Sequence, residues 1–185
     1  MCSSDLRLLT FAAHPAPVQV SWIGYPATTG LAEMDWRVTD ALADPPGLAD
    51  PFHTEKLLRL SGFNCYRPPA DTPDVGPLPM DANGYVTFGS FNHAAKIRDV
   101  DIEVWSEILK RIPNARLLLK HRGFDYPAVR ADYVATFARH GIDESRLTML
   151  RHIDTYRGHL EAYNRVDVAL DSFPYNGTTT TCEAR

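Results

Sequence analysis

The chain has 185 residues, the length of one ordinary domain or two partial ones. Its composition, 44% hydrophobic and 23% charged, is close to that of globular proteins and predicts a buried core. The formal charge of −4 provides no overall attraction to nucleic acid, and no window approaches the roughly 20 apolar residues of a membrane helix.

The three cysteines, Cys2, Cys65 and Cys182, lie far apart and have no zinc-ligand spacing. We therefore expect free thiols, a reducing cytoplasmic location and no metal site built on cysteine. Residues 1–10 do not have the pattern of a signal peptide.

The first part of the chain, residues 1–67, shows strand signals at 17–23, 36–39 and 57–60. The loop at 24–30 is rich in small and hydroxyl-bearing residues. It either lines a cleft or is an ordinary connector between strands. The residues that would line such a cleft are Tyr25, Pro26, Thr28 and Thr29.

A proline cluster between Pro68 and Pro79 disfavours helix and interrupts strand pairing. We interpret residues 68–82 as a linker between the first part of the chain and a second part, residues 83–185.

The second part alternates strands and helices. The predicted strands are 85–91, 115–120, 146–150 and 168–171, and the predicted helices are 100–112, 129–138, 159–166 and one from 178 onward. This order predicts a parallel sheet with helices on both faces, which binds ligands at the carboxyl ends of its strands.

Lys96 follows the first of these strands and a polar turn. A cation there would stabilise negative charge on a departing diphosphate. The alternative is a solvated surface lysine. His93 lies in the same turn, and it is either a ligand contact or a surface histidine.

A run of four threonines, 178–181, follows the last strand and opens a helix. Free backbone N–H groups at such a helix start attract phosphate, and the hydroxyls add donors. Glu183, about one turn further, is placed to accept from ribose hydroxyls. The alternative is that one threonine is a plain N-cap. His159, at the start of a predicted helix, either contacts a base or is a partly buried structural histidine.

Three segments carry a family resemblance: 15–36, 91–97 and 167–183. In this order they resemble motifs of glycosyltransferase family 41, the O-GlcNAc transferase family, and most closely its bacterial-type members. The resemblance covers residues 7–184. It implies a GT-B fold, with residues 1–67 as the end of the N-terminal lobe and residues 83–185 as a Rossmann-like C-terminal lobe.

The resemblance also implies an activity, the transfer of N-acetylglucosamine from UDP-GlcNAc to Ser or Thr hydroxyls of proteins. The family inverts the anomeric centre, needs no metal or cofactor, and commonly has tetratricopeptide repeats upstream. By match to the motifs, Lys96 would neutralise the leaving UDP and His159 would contact uracil or its surroundings. The remaining implied donor contacts are His93, Thr178, Thr179 and Thr180 for the sugar nucleotide and Glu183 for the ribose.

Two features depart from the family pattern. His93 stands where animal enzymes have glutamine, and Thr178 where they have histidine. The front of the N-terminal lobe, with its proposed acid/base histidines, and the end of the C-terminal lobe are also not in the sequence. We therefore expect a catalytic fragment with little activity alone and a general base outside it. The alternatives are a GT-B transferase that uses another nucleotide sugar, a non-catalytic nucleotide-binding module, and a plain α/β domain.

Overall fold

The computed structural model describes residues 7–24, 27–62 and 66–184. The chain divides into two compact units, Met1–Tyr66 and Arg67–Arg185, which we call unit 1 and unit 2. No described helix has the length and apolar character that crossing a bilayer requires.

Unit 1 contains a parallel sheet. Its described elements are α1 (Leu8–Ala12), β1 (Val20–Trp22), β2 (Trp36–Asp40) and β3 (Lys56–Leu60), and the strands pair in the order β1-β2-β3. The three predicted strands are confirmed. Helix α1 was not predicted, because five residues are too few for a clear periodic pattern.

The sheet of unit 1 buries its polar face. Arg37 and Thr39, on one side of β2, are both buried, and the Thr39 hydroxyl donates to the carboxylate of Asp44 in the following loop. On the opposite side, Trp22 and Leu58 are each about half exposed. A parallel sheet normally has both faces covered.

Unit 2 is built on a second parallel sheet. Its strands are β4 (Thr87–Ser90), β5 (Arg116–Lys120), β6 (Leu147–Leu150) and β7 (Val168–Ala169), paired in the order β6-β5-β4-β7. The helices are α2 (Pro79–Asn83), α3 (Asp99–Arg111), α4 (Pro127–Arg139), α5 (Tyr156–Glu161) and α6 (Thr179–Glu183). The predicted parallel α/β sheet is confirmed.

Local sequence explains the two long helices. Asp101 accepts a hydrogen bond from the Arg98 backbone at the start of α3, and Lys110 and Arg111 lie in its last turn, so both ends carry favourable charge. Helix α4 begins at Pro127, a residue suited to the first helical position. Both helices pack on the main hydrophobic core, which includes Ile102, Trp105, Leu109, Leu117, Leu119, Phe124 and Phe137.

The predicted linker, residues 68–82, belongs to unit 2 and is hydrogen-bonded to it. Asn164 accepts from the Gly76 backbone N–H (3.0 Å) and donates to the Asp74 carbonyl (3.0 Å). The sequence predicted no helix between Pro68 and Pro79, yet α2 begins at Pro79. Proline is tolerated there because the first helical position needs no N–H donor.

The strand β4 lies against Val166 without room for a side chain at Gly89. A Cβ added at Gly89 would overlap both methyl groups of Val166. We expect Gly89→Ala to destabilise unit 2 by about 1–3 kcal/mol, because it overpacks a filled space. Urea unfolding followed by circular dichroism measures the loss, and Val166→Ala in the same chain should recover part of it.

Gly76→Ala is the matched control, because a Cβ there meets Asn164 only at 3.5 Å, an ordinary contact. It should change the free energy of unfolding by no more than about 0.5 kcal/mol. Equal stability of the two glycine variants would contradict the packing argument.

Candidate functional site

The strand order of unit 2 fixes where a ligand is expected. The chain runs from β4 outward through β5 to β6, and then returns to place β7 on the other side of β4. The crevice between the carboxyl ends of β4 and β7 is therefore the topological switch point, where open α/β sheets bind ligands. The segments that follow these two strands are 91–96 and 170–178, which contain the predicted lysine and the start of the threonine run.

Asp171 joins the two segments. Its carboxylate accepts from the Asn92 side chain (2.7 Å), the Gly177 backbone N–H (2.7 Å) and the Thr181 hydroxyl (2.9 Å). Burial alone would raise the pKa of Asp171, but these bonds outweigh it and hold the pKa below the usual value. The carboxylate is thus ionised and holds the turn after β7 against the segment after β4. We call Asp171 and its partners Asn92, Gly177 and Thr181 the clamp.

The structure brings Lys96 to the threonine turn. Its Nζ donates to the Asn176 carbonyl (2.9 Å) and lies 4.8 Å from the centre of the Tyr175 ring. Thr180 donates to the Asn92 side chain (3.0 Å), so its hydroxyl is held within the clamp. Lys96 and the turn that leads into the threonine run therefore lie at the same edge of the sheet.

Thr178 and Thr179 are exposed at the start of α6. Thr178 occupies the N-cap, and among the described contacts its side chain makes no capping hydrogen bond. The plain N-cap interpretation therefore does not account for Thr178. Helix α6 has five residues.

His159 lies in the second half of α5, not at the start of its helix as predicted. The helix begins earlier because the Thr155 hydroxyl accepts from the Gly158 N–H (3.1 Å) and caps it. The imidazole is hydrogen-bonded at both ring nitrogens, through Nδ1 to Lys120 Nζ (2.8 Å) and through Nε2 to a Glu183 carboxylate oxygen (2.9 Å).

Glu183 is the partner of three side chains. Besides His159, its carboxylate accepts from the hydroxyls of Tyr156 (2.6 Å) and Tyr163 (3.4 Å). Its side chain is 3% exposed. Burial raises the pKa of Glu183, and the hydrogen bonds together lower it further than burial raises it. A carboxylate accepts about four hydrogen bonds, so about one position is left for another donor.

His93 is exposed, and its Nδ1 accepts from the Ala95 N–H (3.2 Å). Its ring meets the edge of His121 at 4.7 Å between centroids. Burial, followed by the nearby His93 and Lys120, lowers the pKa of His121. His121 and Lys120 were not predicted as site residues. The signal was available, because Lys120 ends β5 and His121 follows it at the same edge of the sheet.

A cavity of about 200 Å³ adjoins this cluster on the β7 side. Phe91 and Tyr163 form part of its wall, with ring centroids 4.2 Å apart. Thr180 and Asp171 line it as well.

The predicted cleft loop of unit 1 is only partly described, because Tyr25 and Pro26 lie outside the described residues. Thr28 and Thr29 donate to the buried carboxylate of Glu55, Thr28 at 2.7 Å and Thr29 from both its backbone N–H (2.6 Å) and its hydroxyl (2.5 Å). Burial opposes ionisation, but the bonds from Thr29 and Thr28 lower the pKa of Glu55 to about 2. Both hydroxyls therefore have a structural partner.

Comparison with known proteins gives consistent results. A sequence model of Glycosyl transferase family 41 matches residues 5–63 and 75–184. The probable UDP-N-acetylglucosamine--peptide N-acetylglucosaminyltransferase SPINDLY of Oryza sativa subsp. japonica is 46% identical over 183 residues, which is 98% of this chain and 20% of the relative. The corresponding protein SEC of Arabidopsis thaliana is 30% identical over 92% of this chain and 18% of the relative.

A solved structure is also similar, that of a mutant O-GlcNAc transferase from Thermobaculum terrenum. It is 38% identical and superposes with a TM-score of 0.83 over 96% of this chain and 33% of that chain. The predicted fold class, GT-B with Rossmann-like α/β units, is confirmed. The chain spans about a fifth of the length of the curated relatives it matches.

The Glu55 cluster predicts an acid-sensitive unit 1. Because folding lowers the pKa of Glu55 from 4.5 to about 2, its stabilisation is present above pH 4.5 and lost as the pH falls toward 2. Glu55→Gln should destabilise unit 1 by about 1–3 kcal/mol at pH 7 and flatten this acid dependence. Unfolding at several pH values, followed by tryptophan fluorescence, measures both effects.

Glu33→Gln is the control, since that side chain belongs to the same unit but not to this cluster. It should leave the acid dependence intact. An unchanged pH profile in the Glu55 variant would show that its carboxylate does not couple to folding.

Proposed function

Because the chain belongs to glycosyl transferase family 41, we propose that the whole protein transfers N-acetylglucosamine from UDP-GlcNAc to Ser or Thr hydroxyls of proteins. The reaction inverts the anomeric centre and uses no metal or cofactor. Within it, unit 2 of this chain binds the sugar nucleotide. The names of the SPINDLY and SEC relatives and of the Thermobaculum structure support this proposal.

The observation that carries the proposal is the meeting of Lys96 with the turn after β7. An ammonium group 2.9 Å from the Asn176 carbonyl lies beside the start of the threonine run. A diphosphate at this place meets one cation and the exposed hydroxyls of Thr178 and Thr179. Such a cation stabilises the charge that develops on UDP as the sugar departs.

The other proposed donor contacts surround this point. His159 faces the base, His93 the sugar or phosphates, and Thr180 supports the diphosphate through the clamp. Glu183 has three hydrogen-bond donors among the described side chains, and we propose that a ribose hydroxyl is a fourth. Thr28 and Thr29 belong to the structure of unit 1 and are not proposed as donor contacts.

The setting of the protein is also a proposal. We place it in the cytoplasm, with a protein acceptor and with tetratricopeptide repeats elsewhere in the whole protein. The scattered cysteines support a reducing compartment, and Cys182 is a free thiol.

The runner-up is a transferase for another nucleotide sugar, favoured by the departures at His93 and Thr178 from the animal enzymes. Calorimetry of this chain with UDP-GlcNAc, UDP-glucose and GDP-sugars separates the two. We expect the uridine donors to bind and the GDP-sugars not to compete. Tighter binding of a GDP-sugar would replace the proposed donor, and no thermal shift with millimolar UDP would leave only a plain α/β domain.

Lys96→Ala tests the catalytic role. In the whole protein we expect the rate of UDP release with a peptide acceptor to fall by about 100- to 1000-fold, since a group that stabilises the leaving charge is lost. The chain should lose about 10- to 100-fold in UDP affinity, because a charge-assisted hydrogen bond is worth about 1.5–3 kcal/mol.

Lys110→Ala serves as the matched control, because Lys110 pairs with Glu107 (2.7 Å) on the surface of α3. It should change neither rate nor affinity. A Lys96 variant that transfers at the wild-type rate would favour a non-catalytic nucleotide-binding role.

A further inference from the structure

A line of three side chains crosses the carboxyl edge of unit 2. Lys120, the last residue of β5, contacts His159 Nδ1 at 2.8 Å, and His159 Nε2 contacts Glu183 at 2.9 Å. The three residues come from three different elements, β5, α5 and α6. The imidazole side chain is 14% exposed and the Glu183 side chain 3%.

The chemistry of the partners fixes the protons on the imidazole. An ammonium group donates hydrogen bonds and accepts none, so His159 Nδ1 must be the acceptor and carries no hydrogen. A carboxylate only accepts, so Nε2 must carry the hydrogen that it donates to Glu183. His159 is therefore neutral, in its Nε2–H tautomer, with both ring nitrogens in use.

This arrangement determines what His159 offers to a ligand. With both nitrogens bound to protein groups, the ring has no nitrogen left to donate to a ligand or to accept from one. Phe91 and Tyr163 lie nearby, at 5.9 and 5.5 Å between ring centroids, and so line the same region with aromatic groups. Planar bases stack on such surfaces.

We propose that Lys120 is a positioning residue of the donor site, which holds His159 in the neutral Nε2–H tautomer so that its ring face meets the base. This inference rests on the proposed function for its ligand, but the state of the imidazole is a property of the chain alone. Lys120 has no assigned role in the motifs or the comparisons.

The imidazole is held from both sides. Lys120 Nζ contacts Nδ1, the Glu183 carboxylate contacts Nε2, and the hydroxyls of Tyr156 and Tyr163 bind that carboxylate in turn. Burial lowers the pKa of Lys120, and the nearby Glu183 carboxylate opposes this effect.

Proton–nitrogen correlation spectra of the histidine rings test this inference directly. The His159 signals are assigned by their loss in His159→Gln. In the wild-type chain without ligand, we expect a bare Nδ1 and a protonated Nε2 at neutral pH. A protonated Nδ1 in this spectrum would overturn the proposal without any Lys120 variant.

The variants Lys120→Met and Lys120→Arg extend the test. Methionine removes the charge and the donor, so His159 Nδ1 should no longer be held as an acceptor, and an Nδ1–H signal should appear in the spectrum. Arginine retains both and should preserve the wild-type tautomer. Matching amide spectra establish that the variants fold, and an unchanged tautomer in Lys120→Met would overturn the proposal.

Donor binding forms a separate arm of the experiment. Lys120→Met should weaken UDP binding by roughly two- to tenfold, the value of one hydrogen bond, and Lys120→Arg should restore it. If Lys120→Met changes the His159 tautomer but leaves UDP affinity unaltered, Lys120 has no role in donor binding. Failure of the wild-type chain to bind UDP would instead count against the proposed function and leave the spectroscopic result in force.

Discussion

The candidate site depends on the half-buried carboxylate of Asp171. Two neighbouring strands end at the switch point, and their following segments have no regular hydrogen bonding of their own to hold them together. By accepting from Asn92, Gly177 and Thr181, this group holds the turn after β7 against the segment after β4. Lys96 reaches the Asn176 carbonyl only because that turn is held in place. A carboxylate with this many donors is stable inside the protein in its charged form.

Much of unit 2 was predictable, because the spacing of its apolar residues indicates the helices and strands, and its polar residues follow the ends of those strands. Apolar spacing indicated α3 and α4, and buried apolar runs indicated the strands. The rule that ligands meet the carboxyl ends of parallel strands then placed Lys96 and Thr178 together. The partners of Asp171 and His159 were not predictable, because they join residues that lie 79 and 24 positions apart. Such bonds depend on side-chain geometry that no local pattern encodes.

Unit 1 illustrates a different limit of the sequence. The alternating residues at 17–23 correctly indicated the strand β1, but alternation does not show which face of the sheet is buried. In unit 1 the loop after β2 supplies Asp44, which accepts from Thr39 and lies 3.7 Å from the Arg37 guanidinium. This contact covers the polar face of the sheet. Similarly, the hydroxyls at Thr28 and Thr29 matched a ligand-binding loop in composition, whereas their partner is the distant Glu55.

The inverted polarity of that sheet affects how the two units respond to heat and denaturant. Met34 is the one buried hydrophobic residue in the described part of unit 1, whereas the core of unit 2 is extensive. The heat capacity of unfolding and the denaturant slope both scale with the apolar surface that unfolding exposes. Per residue, the described part of unit 1 therefore contributes less to both quantities than unit 2 does.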